Sequence, residues 1–277
     1  MKYICLVLLV ILSVSCTKNE VEYATTPIGD MAEFQLHYFV PVTATSTNNI
    51  TKVEINNQLY ANTKAPLSTY SAIPSGTVGK FYIVEPGTVN VKMYQGLTGD
   101  VLVYDQNVAL VQGKQNVFVH DFQQPPIVFN NGYPYVKNTT EDSDSTCWIK
   151  FYNFLYETPG TPNVPTTLRL QFQYIDSVTL LPTNIGPPVA FGETTGWQPV
   201  PVRKVTFNSA GSQVVVTLIR VVDIDGNDLG PLSYKVGATF RDYTANQTLA
   251  IGRRYHYVLS GMRADVPNSA VRIFTAL

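Results

Sequence analysis

The chain has 277 residues, of which 14% are charged and 45% hydrophobic, with a formal net charge of −1. Ordinary soluble proteins carry about 25% charged residues. The apolar share can build a sizeable core, which excludes global disorder, and the near-zero charge excludes a broad electrostatic nucleic-acid binder or a polybasic membrane-surface protein.

Lys2 precedes an unbroken apolar run from Ile4 to Leu12, and Ser13-Val14-Ser15 closes it with small residues before Cys16. The run is too short to span the ~30 Å hydrocarbon of a bilayer, so residues 1–15 read as a secretory signal peptide. The small residues before Cys16 resemble the lipobox of bacterial lipoproteins, although Leu12 lies one place further from the cysteine than the strictest form puts it. The resemblance implies cleavage before Cys16 and lipidation of its thiol, and hence a membrane partner through the N-terminal lipid; several acyl chains anchor stably where one does not. An ordinary signal peptide with an incidental cysteine is the alternative. Position 17 is Thr, where Asp would suggest inner-membrane retention, so the expected address is the outer membrane, on its periplasmic or surface-exposed face.

Of the three cysteines, Cys5 leaves with the signal and Cys16 carries lipid, so Cys147 has no partner for an intramolecular disulfide. It alternates with Ile149 and Phe151 and reads as a small core hydrophobe. Residues 16–30 are polar, with Pro27 and Gly29, and form a lipidated tether.

From Phe34 the chain runs as strands between turns. Phe34 to Val40 stops at Pro41, Thr51 to Ile55 stops at Asn56-Asn57, and Gln58 to Tyr60 follows. Lys80 to Val84 stops at Glu85-Pro86-Gly87, after which Val89 to Tyr94 alternates with period two. Val101 to Tyr104, Asn107 to Leu110 and Asn116 to His120 complete a first sandwich, residues 31–122. Residues 123–145, with Pro125-Pro126, Asn130-Asn131-Gly132 and the acidic run Glu141 to Asp144, read as a linker holding one short strand at Ile127 to Phe129. Strands return with Trp148 to Leu155, Leu168 to Ile175 and Arg203 to Asn208. Gln213 to Asp223 then pairs across Asp225-Gly226, a strong hairpin signal. Tyr234 to Arg241, Thr248 to Ile251 and Tyr255 to Leu259 complete a second sandwich, residues 146–277. No window sustains a helical apolar period over three turns.

The halves look like diverged copies. Leu110-Val111-Gln112-Gly113-Lys114-Gln115 runs into Val117-Phe118-Val119, and Leu249-Ala250-Ile251-Gly252-Arg253-Arg254 runs into Tyr255-His256-Tyr257-Val258. The chemistry is shared: an apolar strand end, a Gly free to take φ > 0, basic turn residues in water, and a strand returning to the core. With Glu85-Pro86-Gly87-Thr88 upstream, this pattern resembles a family of bacterial envelope domains, the domain of unknown function catalogued as 4397. The second copy departs from it by lacking the Pro-Gly-Thr turn and by an insertion around Asp176 to Gly196. The resemblance implies an all-β chain of two tandem immunoglobulin-like or transthyretin-like β-sandwich domains, and it brings no catalytic residues.

The residues themselves offer little for catalysis. His37, His120 and His256 show neither His-x-His nor His-x-x-x-His spacing, so no local zinc site is expected. Gly192-Glu193-Thr194-Thr195-Gly196 lacks the Gly-Lys-Ser/Thr of a phosphate loop, and no Gly-x-Ser-x-Gly elbow occurs. Asp223 to Asp228 superficially matches a calcium loop, but Asp228 stands where Gly is required and Tyr234 where the bidentate Glu belongs, which leaves a hairpin turn. Tyr133, Tyr135 and Trp197, the last in a Gly/Pro-rich stretch read as a loop, are candidate sugar-stacking residues. Trp148 reads as a core anchor, and packing is favoured over an exposed platform for Trp197 as well. Asp144-Ser145-Thr146 and Asp176-Ser177-Val178 resemble bacterial O-glycosylation sites, making Ser145 and Ser177 candidates. The reading is a non-enzymatic outer-membrane lipoprotein, without catalytic residue, metal or cofactor, that binds a partner such as a glycan or an envelope protein. The alternative is a structural or adhesin-type subunit of a cell-surface assembly.

Overall fold

The computed structural model describes residues 29–74, 80–130, 146–203, 208 and 212–276. Within the described residues the chain is built of β-strands, with a single 3-10 turn at Ser46–Asn48. Its first half holds β1 (Ala32–Tyr38), β2 (Lys52–Ile55), β3 (Gln58–Ala61), β4 (Ser71–Ile73), β5 (Tyr82–Val84), β6 (Gly87–Gln95), β7 (Val101–Leu110), β8 (Gly113–Val119) and β9 (Ile127–Asn130). Its second half holds β10 (Thr146–Thr158), β11 (Val164–Pro165), β12 (Arg169–Ile175), β13 (Pro182–Asn184), β14 (Thr194–Pro201) and β15 (Ser212–Val222). There follow β16 (Asp228–Pro231), β17 (Ser233–Val236), β18 (Thr239–Asp242), β19 (Thr244–Ala250), β20 (Arg254–Met262) and β21 (Ala270–Ala276).

Period-two patterning does what it should where one face is wet. On β6, Val89, Val91 and Met93 are buried while Asn90 and Lys92 point away from the core. β2 and β3 turn on Asn56 and Asn57 at φ +49° and +64°, the two positive values that a tight hairpin turn demands. The sheet β3-β2-β6-β7 faces the sheet β4-β1-β8-β9, in which β5 also pairs with β1. Between them lie Phe34, Leu36 and Tyr38 from β1, Val53 and Ile55 from β2, and Val117 and Val119 from β8.

The second half repeats this pairing scheme. β1 runs parallel to β8, with Leu36 opposite Val117, and β10 runs parallel to β20, with Phe151 opposite Tyr257. In each half a Leu-x-x-Gly turn carries the chain from one sheet to the other: β7 to β8 through Gly113 at φ +95°, and β19 to β20 through Gly252 at φ +70°. Both glycines sit in the conformation that an L side chain resists. The sheet β11-β10-β20-β21, with β14 on β10, faces β13-β12-β15-β16, with β19 on β15. Ile149, Phe151, Phe172, Ile219, Leu249 and Tyr257 fill the space between them.

Residues Met31–Leu277 form one compact unit, and a third hydrophobic cluster joins the two halves within it. Phe39 and Phe118 come from the outer face of the β1–β8 sheet; Tyr152, Phe154 and Val258 come from the outer face of the β10–β20 sheet. β8, β10 and β20 are therefore buried on both faces over most of their length.

Several strands differ from the sequence reading. Val101 to Tyr104 and Asn107 to Leu110 form one strand, because Asp105 continues the alternation and accepts a hydrogen bond from Asn90 Nδ2 at 2.7 Å. Tyr234 to Arg241 is a hairpin folded at Gly237, φ +64°, rather than one strand. Trp197 lies on strand β14 and not in a loop; Pro199 and Pro201 are tolerated there because β14 pairs with β10 at the edge of its sheet. β21 escaped the sequence reading, and most of the strand expected from Arg203 to Asn208 lies outside the described residues.

Candidate functional site

The three histidines meet the aromatic layer between the halves. The His37 ring stacks on Phe118, centroids 4.3 Å apart, and its Nε2 lies 3.0 Å from Asn116 Oδ1. Burial lowers its pKa from 6.5 to about 4, against a smaller opposing effect of the Asn116 hydrogen bond. Burial likewise holds His256 well below its ordinary value, and the neighbouring His37 and Lys150 push the same way. Tyr152 Oη lies 2.7 Å from His256 Nδ1. His120 is lowered by burial too, opposed by the charge of Asp121. Lys150 Nζ donates to the Asn130 carbonyl at 3.2 Å, and burial brings its pKa down to about 8. Neutral imidazoles here pack as flat polar rings. Among the described residues, no group of three or more His, Cys, Asp and Glu side chains is arranged to hold a metal ion.

A small cleft of about 240 Å³ opens beside this layer, lined by Tyr156, Phe191, Pro162, Pro165, Asn163, Gln124 and His120. The Asp121 carboxylate sets its wall: Oδ2 accepts from both Asn163 N and Asn163 Nδ2 at 2.9 Å, and Oδ1 accepts from Gln123 N at 2.8 Å. The space is narrow and mostly apolar.

Two larger clefts share one aromatic ridge in the first half, where β3 and β5 approach from facing sheets. One, of about 330 Å³, is bordered by Asn56, Gln58, Tyr60, Ile83 and Glu85; the other, of about 460 Å³, by Tyr60, Ser68, Ser71, Lys80 and Tyr82. Tyr60 and Tyr82 meet edge to face, ring centroids 4.5 Å apart at 81°. Buried Phe34 backs both, at 6.2 Å from Tyr60 and 5.8 Å from Tyr82. Tyr82 Oη donates to the Tyr60 carbonyl at 3.4 Å, and partial burial raises the pKa of both phenols, so both stay protonated at neutral pH. The result is a half-buried aromatic ridge held rigid from below, with amide, hydroxyl, ammonium and carboxylate groups on its two flanks. Such a surface can take the C–H face of a sugar ring against an aromatic ring while polar groups meet its hydroxyls.

The residues singled out from sequence fall elsewhere. Cys16, Tyr133, Tyr135 and Ser145 lie outside the described residues. Trp197 is half-buried on β14, opposite Lys150, with its ring 4.9 Å from that of His256. Ser177 is half-buried at the end of β12, and its Oγ donates to Gln213 Oε1 at 3.3 Å. The Asp223 loop is a hairpin turn: its carboxylate accepts from Asp225 N, Asn227 N and Asn227 Nδ2, each at 2.8–2.9 Å. Nothing in the sequence sets Tyr60 and Tyr82 apart from ordinary strand residues: Tyr60 lies within β3 and Tyr82 begins β5.

No protein-family profile matches the chain, and no curated protein matches it.

Proposed function

We propose that this chain is a lipid-anchored binding module of the outer membrane, without catalytic activity, whose ligand is a glycan seated along the Tyr60–Tyr82 ridge. Cys16 carries the anchor, and two tandem sandwiches stacked through their aromatic layer carry the binding face. The observation that supports the reading is the ridge itself: two half-exposed tyrosines locked edge to face over Phe34, with a polar-rimmed cleft on either side. Rigid aromatics lose little conformational freedom on binding, which favours recognition of flat sugar faces.

The test is a glycan array probed with the purified chain, followed by affinity electrophoresis in gels containing whichever polysaccharide binds. Tyr60→Ala and Tyr82→Ala are each expected to weaken retention about tenfold, the scale of one lost aromatic contact, while Trp197→Ala leaves it unchanged. Absence of binding to any glycan, or retention indifferent to both tyrosines, rejects the site. Acyl-chain labelling lost on Cys16→Ala tests the anchor separately.

A further inference from the structure

We propose that β7 is the self-association edge of this protein, pairing antiparallel with β7 of a second copy about a two-fold axis at Gln106. The inference is independent of the glycan reading and gives the assembly alternative a definite surface. Among the described residues β7 pairs with β6 alone, so alternate N–H and C=O groups along its ten residues face outward. Natural edge strands are usually short, or interrupted by proline or lysine. β3, β5, β9 and β13 are short, with four, three, four and three residues, and β14 carries Pro199 and Pro201. β7 is ten residues long, against seven for the edge strands β19 and β21, and carries no proline or lysine, with a single register shift against β6 at Val103.

The side chains select the partner. On β7 the even-numbered Tyr104, Val108 and Leu110 point into the core and the odd-numbered Asp105, Asn107 and Ala109 point to solvent. A two-fold axis perpendicular to the sheet keeps each face on its own side, so it must pass through a residue. An axis through Asp105 sets that carboxylate against its own copy. An axis through Gln106 sets Asp105 against the copy's Asn107 and Tyr104 against Val108, and no like charges meet. Regular pairing stops at Val103, the extra residue that shifts the β6–β7 register between Tyr104 and Leu102. The closed symmetry makes a pair, not a fibre.

The test uses the full chain with Cys5→Ser and Cys16→Ser, Cys147 being buried. Sedimentation should show a concentration-dependent dimer. Asn107→Asp places carboxylates opposite one another twice per dimer and should weaken it about tenfold, whereas Asn107→Lys should tighten it. Gln106→Cys should form a disulfide-linked dimer on mild oxidation, faster than Asp105→Cys. All these positions lie on the exposed strand, and near-ultraviolet circular dichroism verifies that each variant is folded. A monomer at every concentration, a dimer indifferent to Asn107→Asp, or growth into open polymers overturns the proposal.

Discussion

His37 of β1 and Asn116 of β8 meet at 3.0 Å between parallel strands, in a layer where His37 is 1% exposed. The imidazole is neutral there because burial pushes its pKa from 6.5 to about 4. Unfolded, the same group takes a proton at its ordinary value. Folding stability is therefore whole above pH 6.5, falls as the pH drops because the unfolded chain binds the extra proton, and levels off near pH 4. The loss from His37 alone is about 3 kcal/mol across that window, and His256 and His120, shifted in the same direction, deepen it. Urea midpoints measured from pH 7 to pH 4 should show this decline. The double variant His37→Phe, Asn116→Leu should flatten it by about one proton's worth; an unchanged slope would contradict the assignment.

Phe118 carries the junction of the halves. Its side chain is fully buried and lies within ring-contact distance of His37 at 4.3 Å, Phe154 at 4.9 Å, Tyr152 at 5.1 Å and Phe39 at 5.6 Å. Phe118→Ala should cost about 3–5 kcal/mol, the range for emptying a buried aromatic site. Phe154→Ala should cost a similar amount, and the double variant should fall short of the sum by about 1 kcal/mol because the two share one contact. Denaturant unfolding of the four proteins closes the cycle.

How far the fold was legible depended on how many faces of a strand are wet. β2 and β6 show clean alternation because one face meets water, and the Asn56-Asn57 and Asp225-Gly226 turns declare themselves through residues that accept φ > 0. β10 resisted: Ile149 and Phe151 face one core while Lys150 and Tyr152 face the aromatic layer, so alternation on that strand does not separate inside from outside. Only the stacking of one sheet on another supplies that information. β14 was hidden because Gly196, Pro199 and Pro201 spell a loop, while an edge strand tolerates them. The tyrosine ridge was hidden for a different reason. Tyr60 and Tyr82 belong to strands of facing sheets, and nothing local to either residue announces that they touch.

Two glycines separate backbone strain from crowding. Gly226, in the β15–β16 hairpin, has φ +87° and open space around the position of a Cβ. Gly226→Ala should therefore cost about 1 kcal/mol, the conformational penalty alone. Gly261, in β20, has φ +110°, and a Cβ there would fall 2.7 Å from the Asn268 carbonyl oxygen and 2.9 Å from Ser269 Cα. Backbone cannot yield as a flexible side chain does, so Gly261→Ala should lose about 3 kcal/mol or more. Thermal unfolding of the pair should rank them clearly; equal losses would mean that crowding at β20 relaxes without cost.

Cys147 offers a probe of the second core that needs no change at the site. Its side chain is fully buried among Ile149, Tyr255 and Tyr257, and burial pushes the thiol up to about 12. Only the thiolate attacks a disulfide reagent, so at pH 8 the folded protein should react orders of magnitude more slowly than a free cysteine, roughly 10³-fold or more. Labelling must then wait for the core to open, and its rate should track the opening equilibrium: accelerated by urea, and by Phe172→Ala, whose ring lies 5.5 Å from that of Tyr257. Phe34→Ala, in the hydrophobic cluster of the first half, separates two kinds of opening. If the second core opens on its own, Phe34→Ala leaves the Cys147 rate unchanged. If the aromatic layer couples the halves into one cooperative unit, Phe34→Ala accelerates labelling as much as its effect on global stability demands. Fast labelling of the unmodified protein in native buffer, with Cys5 and Cys16 replaced by serine, would show that Cys147 is accessible and refute the burial argument.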